Sequence, residues 1–153
     1  MKSLFIISAV AVALYVDGAL AAPAANFVGS CDANSIRISD KILTANCRNI
    51  KGQLTCSKLD LGRCLKNSYG SLQADPTGAG PHMSDQCINC SNSKQSGGLV
   101  IGGPTPPSLL HCQCNPGTGA AQVNWPTAMF DLNTIVDNNN GVLECYQTKG
   151  TAC

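Results

Sequence analysis

The sequence predicts a small, mainly β protein built from two copies of one unit and stapled by disulfides. Three observations carry that expectation. Residues 59–72 return as residues 130–143, with Asp60/Asp131, Leu61/Leu132, Asn67/Asn138, Gly70/Gly141 and Leu72/Leu143 identical at one offset, and an internal repeat sets the architecture. All ten cysteines lie between Cys31 and Cys153. The segments between them are short and alternate polar with apolar residues, broken by Gly, Asn and Pro, which is the pattern of short strands and turns.

The same local physics operates in both copies. Asp60 and Asp131 can accept a hydrogen bond from a free N–H at the start of a helical turn. Leu61/Leu65 and Leu132/Val136 then fall on one face of that turn. Asn67 to Gly70 and Asn138 to Gly141 can supply left-handed residues that end the turn and send the chain into a strand. Each copy therefore reads as strand, short helical turn, strand, and both Asp residues read as caps rather than catalytic acids.

Residues 1–16 carry one early positive charge, Lys2, and an apolar run from Leu4 to Val16, followed by Ala19-Leu20-Ala21. This is the pattern of a secretory signal peptide over residues 1–21, and the run is too short for a spanning helix. Cleavage near Ala21 leaves a mature chain of about 130 residues. The protein is expected to be secreted and extracellular, with no membrane span. In that compartment an even number of cysteines in a small chain reads as a disulfide framework. Each crosslink is worth about 2–4 kcal/mol where the core is modest. The net charge is +1, with Lys and Arg scattered, so there is no electrostatic case for nucleic acid.

In chain order, residues 22–25 form a lead-in and Phe27 is a core anchor. Residues 35–39 and 41–45 alternate, with Asp40 between them, which predicts a hairpin that Cys31 and Cys47 could close across. Residues 49–52 make a turn with Gly52 in the expected place, and residues 53–58 are a third strand leading into the repeat. Residues 73–83 are a Pro/Gly-rich linker. In the second half, Cys87 and Cys90 precede the apolar residues Leu99, Val100 and Ile101 and a Pro/Gly loop at 102–108. Residues 109–114 follow, with Cys114 placed as Cys47 is in the first copy. Residues 115–119 are the matching turn, and residues 122–128, with Trp125, are expected to be the strand before the second repeat.

Cys87-x-x-Cys90 with Cys112-x-Cys114 and His111 has zinc-ligand types and rough spacing, but an oxidising compartment favours disulfides. Cys87–Cys114 and Cys90–Cys112 could form together as adjacent rungs of an antiparallel hairpin. His82 and His111 have no nucleophile motif beside them, and glycoside hydrolysis would need two facing carboxyl groups. No enzyme, metal or cofactor is expected. Asn89-Cys90-Ser91 fits an N-glycosylation acceptor. The Asn-rich turns, with Asn46, Asn49, Asn67, Asn138, Asn139 and Asn140, offer paired donors and acceptors suited to vicinal sugar hydroxyls, although Asn also favours turns for backbone reasons.

Phe27, Cys31, Cys47-Arg48-Asn49, Gly52, Leu59-Asp60-Leu61 and Asn67-x-x-Gly70-x-Leu72 together resemble the cyanovirin-N homology domain. Cys87, Cys114, Phe130-Asp131-Leu132 and Asn138-x-x-Gly141-x-Leu143 resemble its second half. The signal peptide and cysteine richness are similar to exported fungal members. The resemblance implies a pseudo-twofold fold of two repeats, each with a three-stranded sheet and a hairpin, the halves exchanging strands. Residues 22–153 would be one such domain, with repeats at about 26–75 and 85–146 and a linker at 76–84. The strand around residues 143–146 would complete the first half. Cys31, Cys47, Cys56, Cys64, Cys145 and Cys153 would then fall in one half, and Cys87, Cys90, Cys112 and Cys114 in the other.

The resemblance also implies a lectin for α1,2-linked mannose ends, working without metal or catalysis. By position, its first-half site falls on Asn26, Gly29, Ser30, Arg48, Asn49, Ile50, Asn138, Asn139 and Asn140. Acidic residues of the family are absent at Arg48 and Asn140. The second-half site, the weaker of the two expectations, falls on Lys66, Asn67, Ser68, Tyr69, Asp85, Gln86, Asn115, Pro116 and Gly117, where Pro116 and Gly117 replace long hydrogen-bonding side chains. Such exchanges can alter specificity or abolish binding. The expectation is therefore a secreted carbohydrate-binding protein whose partners are mannose-terminated glycans or glycoproteins. The rival is a secreted structural or protein-interaction protein on the same scaffold that has lost sugar binding. Exchanged strands allow a monomer or a domain-swapped dimer.

Overall fold

A computed structural model describes residues 25–78, 80, 82–92, 106–117 and 119–153. The expected signal segment, the lead-in before Ala25, the apolar run at 99–101 and its flanks at 93–98 and 102–105 lie outside the described residues.

The chain enters through a single helical turn, α1 (Phe27–Ser30), which Asn26 caps by accepting the Gly29 N–H at 3.1 Å. Strands β1 (Arg37–Ser39) and β2 (Ile42–Arg48) form the expected hairpin. Its two-residue turn is Asp40-Lys41, both with positive φ (44° and 70°), so Lys41 belongs to the turn and not to the second strand. Such turns match the twist of the flanking strands. β3 (Leu54–Asp60) pairs with β2 along its whole length, from Ile42↔Asp60 to Arg48↔Leu54. A 3-10 turn (Leu61–Arg63) follows, then the hairpin of β4 (Leu65–Ser68) and β5 (Ser71–Ala74). The linker expected at 73–83 is shorter than the sequence suggests. Gln73 and Ala74 are in β5, and Met83 opens a second single turn, α2 (Met83–Gln86).

The second half repeats this order. β6 (Cys87–Asn92) and β7 (Leu109–Cys114) pair across a register shift between Ile88 and Ser91, and β7 pairs with β8 (Thr127–Asp131). A strand was expected at 122–128, but Gln122–Asn124 coil into a 3-10 turn, in which Asn124 N–H donates to Ala121 and Trp125 N–H to Gln122. Pro126 has no N–H for a ladder, and the strand starts one residue later. A 3-10 turn (Leu132–Thr134) leads to β9 (Asp137–Asn139) and β10 (Val142–Cys145). β11 (Thr148–Lys149) pairs with β10, and β12 (Thr151–Ala152) pairs with β3.

Among the described residues, the three strands of each half lie in one seven-stranded sheet of order β12-β3-β2-β1-β6-β7-β8. The halves meet in it through one residue pair, Ser39↔Ser91. The hairpins are exchanged: β5, from the first repeat, packs on β8, while β10, from the second, packs on β3 and β2. The segment 143–146 thus covers the first half by packing, and β12 is the strand that hydrogen-bonds to it. Tyr146 is not in a strand; it begins the turn between β10 and β11.

One continuous core includes Phe27, Ile36, Leu43, Leu59, Leu61 and Leu65 from the first repeat, Met83 from the start of α2, and Leu110, Leu132, Val136 and Leu143 from the second repeat, all without exposed surface. The apolar partners of the repeated turns, Leu61/Leu65 and Leu132/Val136, are among them. Five disulfides staple this core: Cys31–Cys47, Cys87–Cys114, Cys90–Cys112, Cys64–Cys145 and Cys56–Cys153. The first two are equivalent between the halves. The last two join the first half to the end of the described chain.

Candidate functional site

The repeat places two equivalent surfaces where each exchanged hairpin meets the turn after the middle strand of the opposite triplet. In both, the Asn of the Asn-x-x-Gly pattern is a latch. Asn67 Oδ1 accepts the Gly70 N–H at 2.9 Å while its Nδ2 donates to the Asn115 carbonyl at 2.7 Å. Asn138 Oδ1 accepts the Gly141 N–H at 2.7 Å while its Nδ2 donates to the Arg48 carbonyl at 2.8 Å. Arg48 and Asn115 each follow the equivalent cysteines Cys47 and Cys114. Each side chain therefore closes its own turn and ties that turn to the other repeat. The glycines are obligatory, since a Cβ at Gly141 would collide with the Thr55 hydroxyl, and one at Gly70 would lie 2.8 Å from the Pro126 ring.

In the first half, further sequence-assigned residues are used in the same bracing. Asn140 Oδ1 accepts the Ile50 N–H at 2.8 Å, joining the two turns a second time. Asn49 Oδ1 accepts the N–H groups of Lys51 and Gln53, so it organises its own turn. Arg48 does not fill a groove; its guanidinium donates to the Gly52 carbonyl at 3.3 Å. Asn139 donates to Glu144 at 3.1 Å. Asn26 caps α1 over Gly29, and the Ser30 hydroxyl donates to the Phe27 carbonyl. Ile50 is left 85% exposed at the tip.

The second half differs at one decisive pair. Tyr69 stands where Asn140 stands in the repeat, and Gly117 where Ile50 stands. Tyr69 cannot make the Asn140-type bridge; a Cβ on Gly117 would lie 3.2 Å from its ring. Among the described residues the turns are joined through Asn67 alone, and a cleft of about 420 Å³ lies beside them. Lys66, Asn67, Ser68, Tyr69, Gln86, Asn115 and Gly117, all assigned from the sequence, line it, together with Gln73 and Gly80. Asp85 is exposed on α2, and neither it nor Pro116 is among the lining residues. Gln86 is held by Asn115, whose Nδ2 donates to Gln86 Oε1 at 3.2 Å. Gln73 and Gly80 escaped sequence reasoning because neither is a motif position: Gln73 follows Leu72 in β5 and Gly80 lies in the linker.

Behind Lys66 lies Asp75, nearly fully buried. Burial alone pushes its carboxyl up. The Gly80 N–H, the Thr77 hydroxyl and the Lys66 ammonium together outweigh burial and hold its pKa below the ordinary value.

The other candidates resolve into structure. Asp60 and Asp131 are caps, accepting the N–H groups of Gly62 and Asn133 at 2.9 and 3.0 Å. Cys87, Cys90, Cys112 and Cys114 are consumed in disulfides as two rungs of β6–β7, so they offer no thiolates. Among the described residues no cluster of three His, Cys, Asp or Glu side chains is placed to hold a metal ion. His82 precedes α2 without a side-chain capping bond, and His111 sits in β7 opposite Ser91 and Met129. Asn89 is exposed, and its Nδ2 donates to Gln113 at 2.6 Å. No helix among the described residues is long and apolar enough to cross a membrane.

The family model described as the CVNH domain matches residues 27–144. The chain belongs to the CVNH family. Solved CVNH structures superpose on it over almost their whole length. GzCVNH of Gibberella zeae is 28% identical with a TM-score of 0.57, covering 80% of this chain and 98% of that one. Microvirin, solved as a mannobiose complex, is 25% identical with a TM-score of 0.55, covering 78% and 97%. A MoCVNH3 variant solved in complex with (N-GlcNAc)4 has a TM-score of 0.58 at 19% identity, covering 81% and 99%, and so bears on the fold alone. A comparison with curated protein sequences returns no match.

Proposed function

We propose that this CVNH protein is a secreted, non-enzymatic carbohydrate-binding protein, and that its principal site is the second-half cleft between Lys66 and Gly117. The observation that carries the proposal is the exchange of the Asn140–Ile50 bridge for Tyr69 over Gly117, which leaves a largely apolar-walled cleft edged by polar side chains where its counterpart turns are bridged. A sugar ring needs a flat apolar face and several directional hydrogen bonds. Tyr69 supplies the face, and Lys66, Ser68 and Gln86 supply donors and acceptors. Family membership and the mannobiose complex of microvirin support a mannose-type ligand. Five disulfides and the signal-like amino terminus support export. We assign the first-half surface a structural role, because Asn138, Asn140 and Asn49 are occupied in bracing.

The test is a glycan array and calorimetry on the oxidised chain from about Ala22, beside Tyr69→Gly. Gly accepts the φ of 50° at this position, so folding is retained. Selective binding of mannose-terminated glycans that weakens about tenfold in the variant supports the assignment. Binding untouched by the variant moves the site elsewhere. A folded protein that binds no glycan leaves the scaffold reading.

A further inference from the structure

The largest of the clefts described lies outside both family surfaces, between the linker after β5 and the β10–β11 turn. It measures about 620 Å³ and is lined by Arg63, Asp75, His82, Ser84, Tyr146 and Gln147, among others. Its outer wall, Tyr146-Gln147-Thr148, follows the residues that match the family model, which end at 144. Two features make it more than a surface irregularity.

The first is Tyr146. It opens the two-residue turn between Cys145 and Thr148 with φ 51°. That position in a hairpin turn is ordinarily given to Gly or Asn, because a left-handed backbone is unfavourable for a residue with a Cβ. Here it holds an aromatic ring, 44% exposed, at the mouth of a cleft. Strain of this kind gathers where a side chain must be presented to a ligand. Tyr69 is set in the same way, at φ 50° in a two-residue hairpin turn beside the second-half cleft. One device thus serves both clefts.

The second feature is the division of polar groups. The acidic groups are committed internally, Asp60 to the Gly62 N–H and Asp75 to Thr77 and Gly80. The side chains of Arg63 and Gln147 are exposed and have no hydrogen-bonding partner among the described residues. Planar donor-bearing groups of this type, next to an aromatic face, match the vicinal hydroxyls and apolar face of a pyranose. Burial and the nearby Asp75 push the Tyr146 phenol above its ordinary pKa, so it keeps its proton as a donor at neutral pH.

We propose that this cleft is a further saccharide-binding site, with Tyr146 as its stacking face and Arg63 and Gln147 as its hydroxyl-recognising groups. The proposal rests on the reading of the protein as carbohydrate-binding, but not on the second-half cleft being occupied. The test is a chemical-shift titration of the ¹⁵N-labelled oxidised protein with mannobiose and, separately, with a tetramer of N-acetylglucosamine. Alongside it run Tyr146→Gly, which removes the ring and relieves the backbone, and Tyr146→Phe, which keeps the ring. The expected result is a set of shifts at Arg63, Tyr146, Gln147 and Thr148, separable from any set at Ser68, Tyr69 and Gly117. Tyr146→Gly should weaken binding at the first set by roughly five- to tenfold and leave the second set unchanged, while Tyr146→Phe retains most of it. Shifts confined to the Tyr69 set overturn this proposal and leave the principal function standing. Shifts confined to the Tyr146 set uphold it and overturn the second-half assignment. No shifts with either saccharide overturn both.

Discussion

Asn67 and Asn138 do equivalent work, but their surroundings give them different weights. Asn67 is buried and Asn138 is partly exposed. Truncating Asn67 strands the Gly70 N–H and the Asn115 carbonyl in a protected place, so Asn67→Ala should cost about 1–3 kcal/mol. Asn138→Ala should cost less, because water can replace its bonds; paired denaturant titrations would show the ordering. Asp75 gives a pH signature. Its pKa is lowered in the folded state, so the unfolded chain binds the proton more tightly, and stability rises with pH through this range. The contribution is present above the unfolded value near 3.8 and is lost as pH falls through the folded value. Thermal melts between pH 5 and 2 should therefore show an acid-induced loss of stability that Asp75→Asn reduces. The Asn-x-x-Gly pattern made the turns legible in the sequence. It could not reveal that the free amide of each Asn reaches the other repeat, because that partner is 48 or 90 residues away.

Among the elements, those with a repeated local signal were readable. Asp60 and Asp131 were caps in the sequence and are caps in the fold, and Asp131→Ala should lose about 0.5–2 kcal/mol, measurable by chemical denaturation. α1 and α2 were not readable, since a four-residue turn has no periodicity to detect. Over so few residues the sequence of Gln122–Asn124 does not distinguish a 3-10 turn from a strand, and Pro126 is the residue that keeps the ladder from starting there. The candidate surfaces come from the family resemblance, and the structure sets them at equivalent places in the two repeats, after Cys47 and Cys114 and around Asn138 and Asn67. Which of them is open was not legible in the sequence. That depends on whether one side chain, Asn140 or Tyr69, bridges two turns brought together only by the exchanged hairpins.

At the scale of the molecule, the exchange decides what oligomers can look like. Cys64–Cys145 and Cys56–Cys153 connect segments separated by 81 and 97 residues, on opposite sides of the linker. In a dimer swapped at residues 75–82 those two bridges would join different chains, whereas Cys31–Cys47, Cys87–Cys114 and Cys90–Cys112 would stay within one. A swapped dimer should therefore resist SDS without reductant and collapse to monomer with it, and an oxidised monomer should not convert to dimer on concentration. Replacing both Cys56 and Cys153 by Ser should lower stability by about 2–4 kcal/mol, read as a shift in denaturation midpoint.

The crossed hairpins also impose an order in time. The second triplet receives its covering hairpin from β4 and β5, which precede it in the chain, so everything it needs is present once β8 has been made. The first triplet, made earliest, waits for β9, β10 and β12 at residues 137–152. During vectorial synthesis the part that emerges first is thus completed last. Until then its core face, with Leu43 and Leu59, is uncovered and Cys56 and Cys64 lack their disulfide partners, and it is at that interval that a second chain's hairpin can take the vacant place.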